Sequence, residues 1–126
     1  MWRLGVFWLL VAAPVLGQDH PIVGTWRVTD ARVQTKGPRE VIIRADSSAS
    51  WGQEHARWRL IKDGRVIMIA VGGEWEIYDL RIRGSRLTLS GVDLPEPVTL
   101  TRTGPAPPRP RGVAVPPDPD HDPPAP

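Results

Sequence analysis

Histidine is the side chain best suited to acid–base chemistry near neutral pH, and this chain of 126 residues contains three of them. His20 precedes the first predicted strand, and His121 lies in a proline-rich tail. His55 lies inside the folded region and directly follows Glu54. Because neighbouring side chains of an extended chain point in opposite directions, Glu54 and His55 are not expected to form an acid–base pair. The sequence therefore predicts no catalytic residue and no enzyme.

The side chains best suited to a divalent cation are concentrated near the C-terminus, at Asp118, Asp120, His121 and Asp122. Prolines between them hold the chain extended and hinder convergence on one ion, so a solvated spacer is expected instead. The chain has no cysteine, which excludes disulfides, thiolate metal sites and cysteine nucleophiles. We therefore predict no metal site and no cofactor.

Four aromatic side chains and one methionine in the predicted barrel could bind a small apolar molecule. The candidates for lining a pocket for a small apolar ligand are Trp51, Trp58, Met68, Trp75 and Tyr78. The alternative is that the three indoles are core residues that only fill the interior. Both interpretations stay open from sequence alone.

The elements that position these residues are predicted to be β-strands, because short runs from Ile22 to Arg102 alternate apolar and polar side chains. Strands are predicted at about 25–33, 40–45, 49–53, 57–61, 66–70, 74–82, 86–89 and 98–102. The sequence Lys62-Asp63-Gly64-Arg65 is typical of a tight hairpin turn. The predicted fold is all-β, a small antiparallel up-and-down β-barrel of about eight short strands, since closure removes exposed sheet edges.

A glycine and a tryptophan open the first strand, and an arginine lies in the last one. Gly24-Thr25-Trp26 with Arg102 resembles the signature of lipocalin-like (calycin) barrels, and the chain is similar to the short bacterial lipocalin-like domains. The resemblance covers 22–103 and implies that Trp26 plugs one end of the barrel while Arg102 lies across its ring. With three further indoles to accommodate, a packed or shallow interior is favoured over a deep pocket.

Both ends of the chain differ from the middle. After Arg3, the run Leu4–Leu16 is almost wholly apolar but shorter than the roughly 20 residues that span a bilayer. It predicts a signal peptide cleaved after Gly17, with a retained anchor as the alternative. Proline dominates the C-terminal segment, which predicts a disordered tail. The predicted organisation is signal peptide 1–17, barrel domain 18–103 and tail 104–126.

The predicted location is the periplasm or the extracellular space, without stable membrane insertion once the signal is removed. The net charge is +2, and acidic residues interleave with the arginines, which argues against nucleic acid as a partner. The first functional hypothesis is a non-enzymatic lipocalin-like module that binds a small apolar ligand. The alternative is a protein-interaction, inhibitor or scaffold module with a packed barrel. It would contact an envelope protein through its loops or its proline-rich tail.

Overall fold

The computed structural model describes residues 20–28, 38–92 and 94–120, which form eight strands and no helix. The strands are β1 (Gly24–Arg27), β2 (Glu40–Ile43), β3 (Ser48–Trp51), β4 (Glu54–Ile61), β5 (Val66–Val71), β6 (Glu74–Arg83), β7 (Arg86–Ser90) and β8 (Val98–Gly104). The predicted signal peptide, and the part of the first predicted strand at 29–33, lie outside the described residues.

Each strand pairs with the next in antiparallel register, and β8 closes the sheet by pairing with β1. The prediction of an antiparallel up-and-down barrel is therefore confirmed. The predicted turn between β4 and β5 is also present, with Lys62 and Asp63 at φ angles of 54° and 56°. Short turns of this kind explain why strands that are neighbours in sequence are also neighbours in the sheet.

Side chains that alternate along each strand fill the interior of the barrel. Trp26 is fully buried, and the rings of Trp51 and Tyr78 stack with their centroids 5.5 Å apart. The inward-facing aliphatic residues around them are Val41, Ile43, Ala49, Ala56, Ile67, Ile69, Leu80, Leu87, Leu89, Val98 and Leu100. An eight-stranded barrel is only just wide enough to be filled in this way, so the core is packed.

The end of the barrel at which β1 begins is its lower end, and Ile22 lies across it without exposure to solvent. The indole Nε1 of Trp26 donates a hydrogen bond to the carbonyl of Ile22 at 2.9 Å. The guanidinium of Arg102 lies 5.8 Å from the ring centroid of Trp26 and donates to the carbonyl of Val23 at 2.9 Å. The predicted contact between Arg102 and Trp26 is therefore present.

The tail departs from the prediction of a disordered segment. Up to Asp120 it has no strand or helix beyond β8, it turns at 111–112 and at 119–120, and it follows the outer wall of the barrel near the lower end. Three barrel side chains donate hydrogen bonds to its proline carbonyls, namely Thr25 to Pro105 at 2.8 Å, Arg44 to Pro107 at 2.9 Å and Arg57 to Pro116 at 2.8 Å. The prediction is thus corrected for 105–120, because these acceptors find donors on the barrel surface.

Candidate functional site

A row of outward-facing side chains crosses β2 to β6 on the barrel wall, and we call it the wall row. It consists of Arg44, Ser48, Arg57, Ala70 and Trp75. Arg44 lies opposite Ser48, to whose carbonyl its amide donates at 3.0 Å. The strand register then pairs Ser48 with Arg57, Arg57 with Ala70, and Ala70 with Trp75. The inward-facing neighbours of these residues belong to the core, so the wall row faces away from it.

Outward-facing residues of a barrel are normally exposed, yet three members of the wall row are buried. Arg44 is 6% exposed, and Ser48 and Ala70 are each 2% exposed. Burial on this face requires a covering layer, and at the Arg44 end the hydrogen-bonded tail provides it. The wall row is therefore the floor of a groove that the tail occupies.

The two arginines of the wall row hold the tail by its main chain. Arg44 and Arg57 each donate from Nε to a proline carbonyl, at 2.9 Å and 2.8 Å. Within the described tail the amide of Val113 donates to the carbonyl of Pro110 at 3.2 Å. On either side of this turn the chain is extended, so the carbonyls of Pro107 and Pro116 remain available as acceptors. Contacts of this kind recognise an extended backbone and depend little on the identity of its side chains.

Next to the wall row, Arg59 binds the acidic end of the described tail. Its Nη2 atom is 2.9 Å from Oδ2 of Asp120, and its Nη1 atom is 3.7 Å from Oδ2 of Asp118. The amide of Asp120 donates to Oδ1 of Asp118 at 2.8 Å, which holds the two residues in a turn. The guanidinium also lies 4.7 Å from the ring centroid of Trp75, a cation–π contact that keeps Arg59 in place.

A second charged contact lies at the turn between β2 and β3. Asp46 accepts hydrogen bonds from the amide and hydroxyl of Ser48, and its Oδ2 atom is 3.5 Å from Nη1 of Arg109 in the tail. Burial alone would raise the pKa of Asp46. The hydrogen bonds from Ser48 and the charges of Arg109 and Arg44 outweigh it, so the pKa lies below its usual value. Burial lowers the pKa of Arg44, an effect that Asp46 opposes and Arg109 reinforces.

A cleft of about 390 Å³ lies where the tail, the β2–β3 turn and β4 meet. Its lining includes Arg57, Trp58, Arg59 and Trp75 from the barrel and Asp118 from the tail. The indole Nε1 of Trp58 donates to the carbonyl of Arg44 at 2.7 Å, which fixes that ring at the edge of the wall. The cleft thus combines two aromatic rings with two cations.

The five residues predicted to line an apolar pocket do not line one cavity. Trp51 and Tyr78 stack inside the barrel, and Trp58 and Trp75 line the cleft. Of these last two, Trp58 also packs against the core, because it alternates along β4 with the outward-facing Arg57 and Arg59. Met68 lies on the outer face of β5, with its sulfur 4.0 Å from Nη2 of Arg59.

The arginines of the groove were not identified from sequence. Their signal was present in Arg57-Trp58-Arg59, where alternation along a strand places both arginines on one face.

Glu54 and His55, the two neighbours that could have formed an acid–base pair, lie on opposite faces of β4. Both are exposed at the start of the strand, and the register pairs them with Trp51 and Ser50. Within the described part of the chain, no three histidine, aspartate or glutamate residues are grouped as a metal site would require. His121 and Asp122, two of the four tail residues suited to a divalent cation but expected to form a solvated spacer, lie outside the described residues.

Comparison with known proteins gives no match to a protein-family model, to a curated protein or to a solved structure. Across 20–28, 38–92 and 94–120, the structure has no helix long and apolar enough to cross a membrane. The geometry of the groove and the cleft is therefore the basis for any functional argument.

Proposed function

We propose that the protein is an exported, non-enzymatic, lipocalin-like module that binds extended proline-rich segments of protein chains on its outer wall. The observation that carries this proposal is the position of its own tail, which follows the wall row over 105–120. Main-chain acceptors and two carboxylates of the tail meet arginines that the barrel holds in place. A similar segment of a partner protein offers the same groups.

The packed interior supports this choice over the binding of a small apolar ligand inside the barrel. Trp26, Trp51 and Tyr78 together occupy much of the space that such a ligand needs, and each is buried. Extended proline-rich segments are suited to groove binding because they lose little conformational entropy when they dock. The tail is then an intramolecular ligand, and a partner competes with it.

Two further features support the lipocalin-like and exported parts of the proposal. Gly24, Trp26 and Arg102 form the lower-end cluster that the family resemblance implies. The apolar run Leu4–Leu16 has the length and flanking charge of a signal peptide.

The test separates the barrel from its tail and asks whether they bind in trans. We would measure, by isothermal titration calorimetry, binding of a synthetic peptide of residues 105–120 to a chain of residues 18–104. We expect saturable binding of one peptide per barrel. Arg57→Gln should weaken it about tenfold, because it removes a hydrogen bond from a charged donor. Arg83→Gln, on the exposed outer face of β6, is the matched control and should bind as the wild type.

A glycine–serine peptide of equal length that keeps both aspartates is the control for backbone conformation. It should bind more weakly than the natural tail, because a flexible chain loses more entropy on docking. If the truncated barrel retains its β circular dichroism and shows no binding of the tail peptide, the proposal is wrong. It is equally wrong if the substitutions at Arg57 and Arg83 have the same effect.

A further inference from the structure

The cleft beside the tail is lined by aromatic and cationic side chains whose binding capacity is only partly taken by the tail. Two indoles, those of Trp58 and Trp75, and two guanidinium groups, those of Arg57 and Arg59, line its barrel side. Asp118 bounds it on the tail side. A volume of about 390 Å³ is within the range of small-molecule sites. The cleft is thus large enough for a compact ring system.

The balance of charge in the cleft favours an anion. Arg59 already pairs with Asp118 and Asp120 at 3.7 Å and 2.9 Å. Arg57 donates its Nε to the uncharged carbonyl of Pro116, and among the described residues it forms no ion pair. Its cationic head therefore lies half-buried at the cleft without an ion-pair partner among the described residues. Such a group binds carboxylate or phosphate strongly.

Two further donors at the cleft lack acceptors. The Nε atom of Arg59 and the Nε1 atom of Trp75 are buried and have no hydrogen-bond partner among the described residues. Buried donors without acceptors are rare in folded proteins, because the loss of hydration is not compensated. Both residues line the cleft, which therefore has two buried donors that a ligand acceptor can satisfy.

The indoles define the shape of the molecule that fits. Trp58 is fixed by its hydrogen bond to the carbonyl of Arg44, and Trp75 by its contact with Arg59. Rigid aromatic walls bind flat apolar bodies well, because little side-chain entropy is lost on contact.

We propose that this cleft is a binding site for a small, flat aromatic molecule that carries one acidic group. The acidic group pairs with Arg57, and the ring system contacts Trp58 and Trp75. The site lies at the lower rim of the barrel, where the outward-facing arginines and the partly buried Trp58 both reach the cleft, and it is formed in part by the docked tail. Binding of this molecule is a function additional to the binding of extended peptide segments. It would use the Nη atoms of Arg57, because Nε donates to the carbonyl of Pro116.

The test uses the full mature chain, residues 18–126, and a pair of probes that differ in charge. Anilinonaphthalene sulfonate is flat, aromatic and anionic, and phenylnaphthylamine has the same rings without the sulfonate. Titration followed by probe fluorescence should show saturable binding of one sulfonate probe per chain. The neutral probe should bind at least about tenfold more weakly, which corresponds to one lost charged contact. Energy transfer from excited tryptophans to the bound probe places the probe near indoles.

Substitutions at Arg57 separate the cleft from the groove. Arg57→Gln removes the charge and should weaken sulfonate binding about tenfold or more. Arg57→Lys keeps the charge but removes the Nε donor, so sulfonate binding should fall by less than about threefold while tail docking weakens. Trp58→Leu, which alters the cleft wall and not a tail contact, should weaken both probes. Arg83→Gln, with its exposed side chain, should change neither.

Equal binding of the sulfonate probe to the wild type and to Arg57→Gln would overturn the proposal, provided that both chains keep the same β circular dichroism. Equal affinity for the two probes would overturn it as well, since that result describes an apolar patch without a cation. The peptide proposal fails separately if the peptide 105–120 does not bind the truncated barrel while the full chain still discriminates between the probes.

Discussion

At the scale of single residues, Gly24 and Arg102 form a unit at the lower end of the barrel. A Cβ atom on Gly24 would lie 2.8 Å from Nη1 of Arg102, closer than two such atoms can approach. The guanidinium occupies this space because it donates to the carbonyl of Val23 and lies over Trp26. The glycine of the Gly-x-Trp pattern is thus explained by the arginine of the last strand.

We expect Gly24→Ala to destabilise the barrel by about 1–3 kcal/mol, because Arg102 must give up its hydrogen bond and its cation–π contact. Gly104→Ala is the matched control, since no atom lies within 4 Å of a Cβ placed there, and it should change stability little. Urea unfolding of both variants measures the difference. In an Arg102→Ala background, the cost of Gly24→Ala should fall. An undiminished cost would show that the clash is not with Arg102.

At the scale of elements, alternation of apolar and polar residues was sufficient to predict all eight strands. The boundary between β3 and β4 was less predictable, since the sequence interpretation extended the third strand to Gln53. The structure turns at Gly52, whose φ of 64° allows a tight connection, so β4 begins at Glu54. Turn geometry depends on one backbone angle, which hydrophobic periodicity does not report.

The β2–β3 turn gives a prediction about pH. The pKa of Asp46 is lower in the folded chain than in an unfolded one, where it is about 3.9. The group therefore contributes stability above pH about 4, and this contribution is lost as pH falls through the lowered pKa. The difference in unfolding free energy between the wild type and Asp46→Asn should shrink over that acidic range. It should not exceed about 1 kcal/mol, because Asp46 is partly exposed.

Urea unfolding at a series of pH values measures this difference. Asp79→Asn, on the exposed outer face of β6, is the control and corrects for the general effect of acid on the barrel. A difference for Asp46→Asn that stays constant from neutral pH to pH about 2 would contradict the conclusion that folding lowers the pKa of this carboxylate.

At the scale of the whole molecule, the docked tail was the feature that sequence reasoning did not predict. Composition correctly indicates that a proline-rich segment lacks a core of its own. It does not report that Arg44 and Arg57, distant in sequence, are placed by the barrel register beneath the carbonyls of Pro107 and Pro116. The candidate site was missed for the same reason, because its parts come together only after the barrel closes.

The tail contacts are of two kinds that respond differently to salt. Arg59 with Asp118 and Asp120, and Asp46 with Arg109, are partly exposed ion pairs, which salt screens. The hydrogen bonds from arginine to proline carbonyls involve only one charged partner and depend less on ionic strength. Docking should therefore weaken in high salt without being abolished.

We expect removal of the tail after Gly104 to leave a folded barrel, because β1 and β8 pair directly and no residue of the described tail, 105–120, belongs to the core. The truncated chain should melt a few degrees lower, since a loss of about 1 kcal/mol shifts the midpoint of a small domain by about 4–8 °C. The difference between the full and truncated chains should shrink in about 1 M sodium chloride, where the screening length is about 3 Å. Comparing the two proteins at each salt concentration cancels the effect of salt on the barrel itself. If the two chains melt at the same temperature at low salt, the tail does not stabilise the fold. If their melting temperatures differ by the same amount at every salt concentration, the hydrogen bonds to the proline carbonyls alone hold the tail.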